Sequence, residues 1–256
     1  MYNSKNKVDI IMPNFNKGKF IEAAIKSVIN QSYKNWKLYI VDDNSNDNSK
    51  LIIEKFKKRK KISFLFLKKN KGPSFCRNLI LEKTKSKFIA FLDSDDYWTK
   101  NKLKSQIKFM VKNRYPFTFT DYLPMIQNKN SKKFLKSTKI EKNFTFEKFI
   151  HNSSINTSTM ILERSYLKNL KFRNLMLMED YIFKCDLMKK SKIPFKKLEK
   201  VTAIYRIIKE SRSSKKIFNI VYLWMLNKNF NKLNFFQNLL SILLISINSI
   251  KKYGLK

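Results

Sequence analysis

The chain has 256 residues, 43% hydrophobic and 14% aromatic, which is ample for a packed core and excludes a disordered protein. A total of 55 Lys and Arg against 19 Asp and Glu gives a net charge of +36, pointing to nucleic acid, an anionic membrane surface or phosphate-bearing substrates. With 2 cysteines and 1 histidine, a disulfide framework and a multi-histidine zinc site are excluded. The lysines are spread along the whole chain. That spread fits a compositional bias toward Lys, Asn and Ile better than it fits a localised nucleic-acid patch.

Met1 to Lys7 is polar, with no apolar signal region, and no run of about 18 apolar residues follows anywhere. Export and membrane spanning are therefore not expected. Val8 to Pro13 reads as a strand ended by proline, and Phe20 to Gln31 has a helical apolar period. Trp36 to Val41 is a second strand, Asn48 to Lys58 a helix, and Ile62 to Leu67 a third strand. After the Asn70-Lys71-Gly72 turn come a helix over Phe75 to Lys83 and a strand over Phe88 to Leu92. Strand-helix alternation with apolar strands predicts a parallel sheet covered on both faces, with ligands at the strands' carboxyl ends.

Two acidic clusters fall at those ends, Asp42-Asp43 and Asp93-Ser94-Asp95-Asp96. In so basic a chain, carboxylates at strand ends point to chemistry, and three together suit a hard divalent cation that shares oxygen ligands with phosphates. Beyond Trp98 the alternation weakens. The pattern predicts a helix over Lys102 to Lys112, a short strand over Phe117 to Thr120 and a basic mobile loop over Asn128 to Lys139. It then predicts a helix from Phe144 to Ile150, a strand from Thr157 to Leu162, a helix from Leu177 to Lys189 and a strand from Val201 to Ile207. In the last forty residues Leu233, Phe236, Leu240, Leu243, Leu244, Ile247 and Ile250 recur at helical spacing, interrupted by Asn238, Ser241, Ser246 and Asn248 and followed by Lys251-Lys252. Such a helix can lie in a membrane interface or cover the domain's own core.

Read together, Ile11-Met12-Pro13-Asn14-Phe15-Asn16, Val41-Asp42-Asp43-Asn44-Ser45, Gly72-Pro73-Ser74-Phe75-Cys76-Arg77-Asn78 and Phe91-Leu92-Asp93-Ser94-Asp95-Asp96 resemble the family 2 glycosyltransferases. The four motifs stand in the right order over nearly all of residues 7 to 98. Glu179-Asp180-Tyr181 and Tyr205-Arg206 resemble two shorter, later motifs. The resemblance implies an inverting transferase of the GT-A fold: α/β, a mostly parallel sheet with flanking helices, and here an added C-terminal helical tail. It divides the chain into a nucleotide-sugar-binding half (1–98), an acceptor-side half of the same domain (99–215) and an amphipathic tail (216–256).

The same resemblance places Asp42 and Asp43 against uridine or its equivalent, with Pro13 and Asn16 nearby and Arg77 beside the base. Carboxylates suit the donors of a nucleoside. It makes Asp95 the main ligand of Mn²⁺ or Mg²⁺, which neutralises the diphosphate leaving group, with Asp93 the second metal candidate and Asp93 or Asp96 contacting ribose or metal-bound water. Asp180 becomes the general base that an inverting displacement needs, with Glu179 supporting it. Arg206, Arg212 and Lys215 would close over the diphosphate, although Ile207-Ile208-Lys209 stands where the family often has a histidine. His151 and Trp98 read as packing residues.

The expected partners are a nucleotide-sugar, a UDP-sugar first, and a saccharide or lipid-linked saccharide acceptor, with peripheral membrane contact at the cytoplasmic face and no nucleic acid. Two rival readings remain. A nucleotidyltransferase would call for a glycine-rich early loop, where only Gly18 occurs. A nucleic-acid-binding protein would call for a focused basic face and leaves the acidic clusters unexplained.

Overall fold

The computed structural model describes residues 6–127, 131–135, 140–208 and 216–253. Ten strands form one mixed sheet. β1 (Val8–Asn14), β2 (Trp36–Asp42), β3 (Ile62–Phe66) and β4 (Phe88–Phe91) are mutually parallel, with β1 paired to β2 on one side and β4 on the other. The side chains of the central strands β1 and β4 are buried on both faces, which is why these strands read as continuous apolar runs. Pro13 lies past the last β1–β4 pair, Ile11 with Phe91, so its missing N–H breaks nothing on that side.

The helices α1 (Gly18–Ile29), α2 (Ser49–Glu54) and α3 (Gly72–Lys83) connect these strands and present Ile21, Ala24, Ile25, Val28, Ile52 and Ile53 to the core. Beyond the dyad β5 (Tyr97–Trp98) and α4 (Lys102–Asn113), the chain returns to the same sheet through β6 (Phe117–Gln127) and, later, β9 (Ile161–Glu163) and β10 (Phe195–Ile207). The order is β3-β2-β1-β4-β9-β6-β10-β5. β9 runs antiparallel to β4 and β6, whereas β6 and β10 are parallel. One apolar core spans both halves, from Val8 to Leu226.

Several expected boundaries move. The short strand at Phe117–Thr120 continues to Gln127. Of the predicted loop 128–139, Lys132–Phe134 is instead a strand, β7, paired antiparallel with β6; residues 128–130 and 136–139 lie outside the described residues. Residues Thr157–Thr159 form a 3₁₀ turn rather than strand, because the Asn156 side chain accepts the Ser158 N–H and caps it. After β8 (Asn143–Phe144) come α5 (Phe146–Asn152), α6 (Glu179–Ser191), α7 (Lys216–Leu226) and α8 (Phe235–Tyr253). A π turn, Asn227–Asn231, joins the last two.

The tail covers part of the domain's own core with one face of its apolar repeat. α8 packs on α5 and α7 through buried Asn238 and Ser241 and through Ile242 and Ile245, while Phe236, Leu240, Leu243, Ile247 and Ile250 stay exposed.

Candidate active site

The carboxyl ends of β1, β2 and β4 open into a cleft of about 840 Å³, closed opposite by residues 152–157, the start of α6 and one face of α8. Pro13, Asn16, Asp43, Arg77, Asp93, Asp95, Asp180 and Arg206 all line it. Residues separated by more than a hundred positions in sequence thus share one cavity.

The first wall is built from two loops that lock together. Asn16, with φ of 52°, donates its backbone N–H to Ser45 Oγ at 2.9 Å and accepts the Asn46 N–H on Oδ1 at 2.8 Å. Gly18 donates to Asp47 Oδ2 at 2.7 Å, and a Cβ there would meet Asn48 Oδ1 at 1.8 Å, so a larger residue would have to displace that side chain. Asp43 accepts the N–H groups of Lys71 and Gly72 at 2.7 and 2.8 Å, Gly72 taking the positive φ of 83° that this turn requires. Asp43 faces the cleft. Asp42 does not: its carboxylate is engaged beneath the wall by Asn14 Nδ2, Ser45 N and Ser45 Oγ at 2.6 to 2.9 Å. Of the expected pair, Asp43 lines the cleft, while Asp42 holds the loop in place.

The second acidic cluster also divides. Asp93 and Asp95 line the cleft and are partly exposed, Asp93 paired with Arg77 at 2.7 Å and Asp95 with Lys17 at 2.9 Å. Asp96 is buried, accepting Ser158 Oγ at 2.6 Å and the Arg206 N–H at 2.9 Å. Burial and the neighbouring Asp95 and Asp93 charges push its carboxyl well above the usual range. Among the described residues no three His, Cys, Asp or Glu side chains converge on one point. Asp93 and Asp95 offer hard oxygen donors on the cleft surface, which suits a divalent cation whose remaining ligands are phosphate and water oxygens. Of the three carboxylates in this cluster, Asp93 and Asp95 thus face the cleft and Asp96 does not.

Arg77 is a strut rather than an open contact. Fully inside the protein, it donates to Asp93 Oδ1 at 2.7 Å and Glu179 Oε1 at 2.9 Å and lies over the Phe172 ring. It ties the β4 loop to the start of α6. Arg206 is similarly held: Nε donates to the Asp95 carbonyl at 2.7 Å, a second nitrogen to Gln127, and the guanidinium stacks over Phe20 and Tyr97. Arg212 and Lys215 lie outside the described residues. Trp98 is buried, with Nε1 donating to the Ser158 carbonyl at 2.7 Å, and serves packing as expected.

Asp180 sits in the first turn of α6, where a carboxylate is favoured by the helix dipole. Its Oδ2 accepts from Thr157 Oγ1 at 2.7 Å and Lys184 Nζ at 2.6 Å. Lys184 is buried, one turn on, and also donates to the Ile155 carbonyl at 2.7 Å. Burial opposes ionisation of Asp180, but the Lys184 ammonium, the two hydrogen bonds and Arg77 outweigh it and hold the carboxyl well below the usual range. Asp180 is therefore ionised at neutral pH. Cys76 also lines the cleft, yet burial and Asp43 push its thiol up to about 12, so it is no ready nucleophile. Sequence reasoning missed Lys184, Thr157 and Lys17. The i,i+4 spacing of Asp180 and Lys184 was the available signal for the first; nothing marked the others.

A sheet with strand-end carboxylates facing a helix-borne carboxylate across one cleft defines the class: a GT-A glycosyltransferase fold. The chain belongs to glycosyl transferase family 2, whose sequence profile matches residues 9–171. It is 30% identical, over 98% of its own length and 99% of the relative's, to a putative teichuronic acid biosynthesis glycosyltransferase, TuaG, of Bacillus subtilis (strain 168). It is 35% identical, over 85% of its length and 83% of the relative's, to the Escherichia coli UDP-Glc:alpha-D-GlcNAc-diphosphoundecaprenol beta-1,3-glucosyltransferase WfgD. Among solved structures, S. aureus TarS 1–349 in complex with UDP-GlcNAc superposes with a TM-score of 0.72 at 20% identity, over 96% of this chain and 73% of that one. The mannosyltransferase PcManGT from Pyrobaculum calidifontis, in complex with GDP-Man and Mn²⁺, superposes at 0.68 with 12% identity, over 98% and 76%. The protein is a glycosyltransferase.

Proposed function

We propose that this enzyme transfers a sugar, with inversion, from a UDP-sugar to a saccharide acceptor carried on a phosphate-linked lipid or polymer. The carrying observation is that Asp43, Asp93, Asp95 and Asp180 line one cleft although they come from opposite halves of the chain. TarS in complex with UDP-GlcNAc and the lipid-diphosphate acceptor in the WfgD name support the choice of donor and acceptor classes.

In this reading the nucleoside lies along Pro13, Asn16 and Asp43, and the diphosphate reaches Asp93, Asp95 and Arg206. Asp95 and Asp93 would hold a Mn²⁺ or Mg²⁺ ion, which supplies neutralisation of the diphosphate charge when bound. Lys17, now paired with Asp95, is close enough to that charge to share the task. Asp180 takes the acceptor hydroxyl's proton on Oδ1, since Oδ2 is occupied by Lys184 and Thr157. The freed oxygen attacks the anomeric carbon, the bond to the diphosphate breaks, and the nucleoside diphosphate leaves with the electron pair. Glu179 acts at one remove, by fixing Arg77.

The tail supports a membrane-proximal location for this reading. Among the described residues no helix is long and apolar enough to cross a membrane. The exposed row Phe236, Leu240, Leu243 and Ile247 on α8, with Ile217 and Val221 on α7 and Lys228, Lys232 and Lys251 at the helix ends, is the surface that would rest on the cytoplasmic membrane face. Cosedimentation with anionic vesicles is expected; protein left in the supernatant would remove this part.

The donor reading is tested by thermal shift against UDP-, GDP-, dTDP- and CMP-sugars with Mn²⁺. A rise of several degrees with a UDP-sugar is expected. A flat response to all four contradicts the assignment.

A further inference from the structure

α8 does more than close the fold: Ile245, Asn248, Ser249 and Lys252, spaced three, four and seven residues apart on one helical face, line the same cleft as Asp180 and Asp95. Lys252 is half-buried and donates to Ser154 Oγ, and the Ser154 hydroxyl is in turn spent on the Asn152 carbonyl at 2.6 Å. The other cleft-lining lysines and Arg77 have carboxylate partners: Lys17 with Asp95, Arg77 with Asp93 and Glu179, Lys184 with Asp180. Among the described residues no carboxylate forms an ion pair with Lys252. A desolvated ammonium without a counter-ion is unfavourable, and burial lowers this one to about 8. An anion arriving in the cleft would remove that penalty.

Position narrows the anion. Ser154 lies three residues from Thr157, whose hydroxyl touches Asp180, so their Cα atoms are at most about 11 Å apart. One sugar ring with an anomeric phosphate can bridge such a separation, its hydroxyl at Asp180 and its phosphate at Lys252. Asp43 and Asp93, which line the donor wall, belong to the loops after β2 and β4, on other elements.

We propose that Lys252, positioned by Ser154 and flanked by Asn248, forms an anion subsite that binds the phosphate attached to the acceptor sugar. The proposal rests on the transferase reading above and adds the residue that selects phosphate-bearing acceptors. It makes the C-terminal helix part of the acceptor site and links that site to the surface that would meet the membrane.

The test uses the full chain saturated with UDP and Mn²⁺, so that the donor diphosphate site is filled, and titrates in a short alkyl diphosphate by calorimetry. Saturable binding is expected, weakened about ten- to hundredfold by Lys252→Ala, the size of a lost charge-assisted hydrogen bond, and largely kept by Lys252→Arg. UDP affinity should be the same in all three proteins. An alkyl phosphodiester run in parallel distinguishes a diphosphate-linked lipid from a phosphodiester polymer as the acceptor's source, and tighter binding of either supports the subsite. UDP binding without alkyl diphosphate binding overturns the subsite alone, as does equal affinity in Lys252→Ala or an equal loss of UDP affinity. Failure of UDP itself to bind overturns the donor reading and the subsite with it.

Discussion

The parallel-sheet half and the C-terminal hairpin are seated differently. In β1, β2 and β4 the apolar side chains are inside; Ile10, Ile11, Leu38, Ile40 and Phe91 have no exposed surface. In the hairpin polar residues are inside as well, beside the buried Leu223 and Leu226. Asn227 donates to Asn238 Oδ1 at 3.1 Å and Ser241 Oγ at 3.0 Å and accepts from Tyr181 OH at 2.8 Å, while Phe236 is 77% exposed and Leu243 54%. The sheet half is held by burial, which favours compactness without direction. The hairpin is seated by a directional network, which fixes one docking pose and leaves its apolar face exposed.

Perturbations of the two regions should differ accordingly. The largest effect is expected where the halves meet: Arg77→Ala leaves Glu179 buried without its ion pair, costing about 3–5 kcal/mol and lowering Tm by roughly 10 °C in calorimetry. Within the sheet, Ile10→Ala should cost about 2–5 kcal/mol by urea unfolding. A subtler result is expected from Lys184→Met. In the proposed mechanism transfer needs ionised Asp180, so the rate falls as pH drops through its pKa; removing the ammonium lets burial raise that pKa, and the acidic limb of kcat/KM should move to higher pH. A limb that stays in place would mean that Lys184 only packs. The smallest change in stability is expected in the hairpin, where Leu243→Ser with Ile247→Ser should stay within about 0.5 kcal/mol of the parent per site yet abolish vesicle binding. A stability loss of the Ile10→Ala size there would erase the contrast between the two regions.

The same contrast explains what could be read in advance. Strands with apolar residues on both faces and helices with one apolar stripe announce themselves, so the order of residues 8–92 and the strand-end position of both acidic clusters were legible. Within a cluster the roles were not. Asp42 and Asp43 are neighbours in sequence, but successive residues at a strand end point to opposite sides, and one holds a loop while the other faces the cleft. Asp96 differs from Asp93 and Asp95 because the chain turns after β4, its N–H bonding back to the Asp93 carbonyl, and its carboxylate is taken inward by Ser158 and the Arg206 N–H. In the hairpin the helical period was legible, but its inward face is set by Asn238 and Ser241, against the hydrophobic pattern. Tertiary hydrogen bonds decided it, and no local signal carries those.

The central claim is that Asp180 removes the acceptor proton while the opposite wall holds the donor. Asp180→Asn keeps the side chain's size and its hydrogen-bonding oxygen but cannot act as the base. UDP-sugar affinity by calorimetry should stay within about threefold, while transfer measured on the same preparation falls by about 10²–10⁴-fold. Intact turnover in Asp180→Asn, with the donor bound as before, would contradict the account.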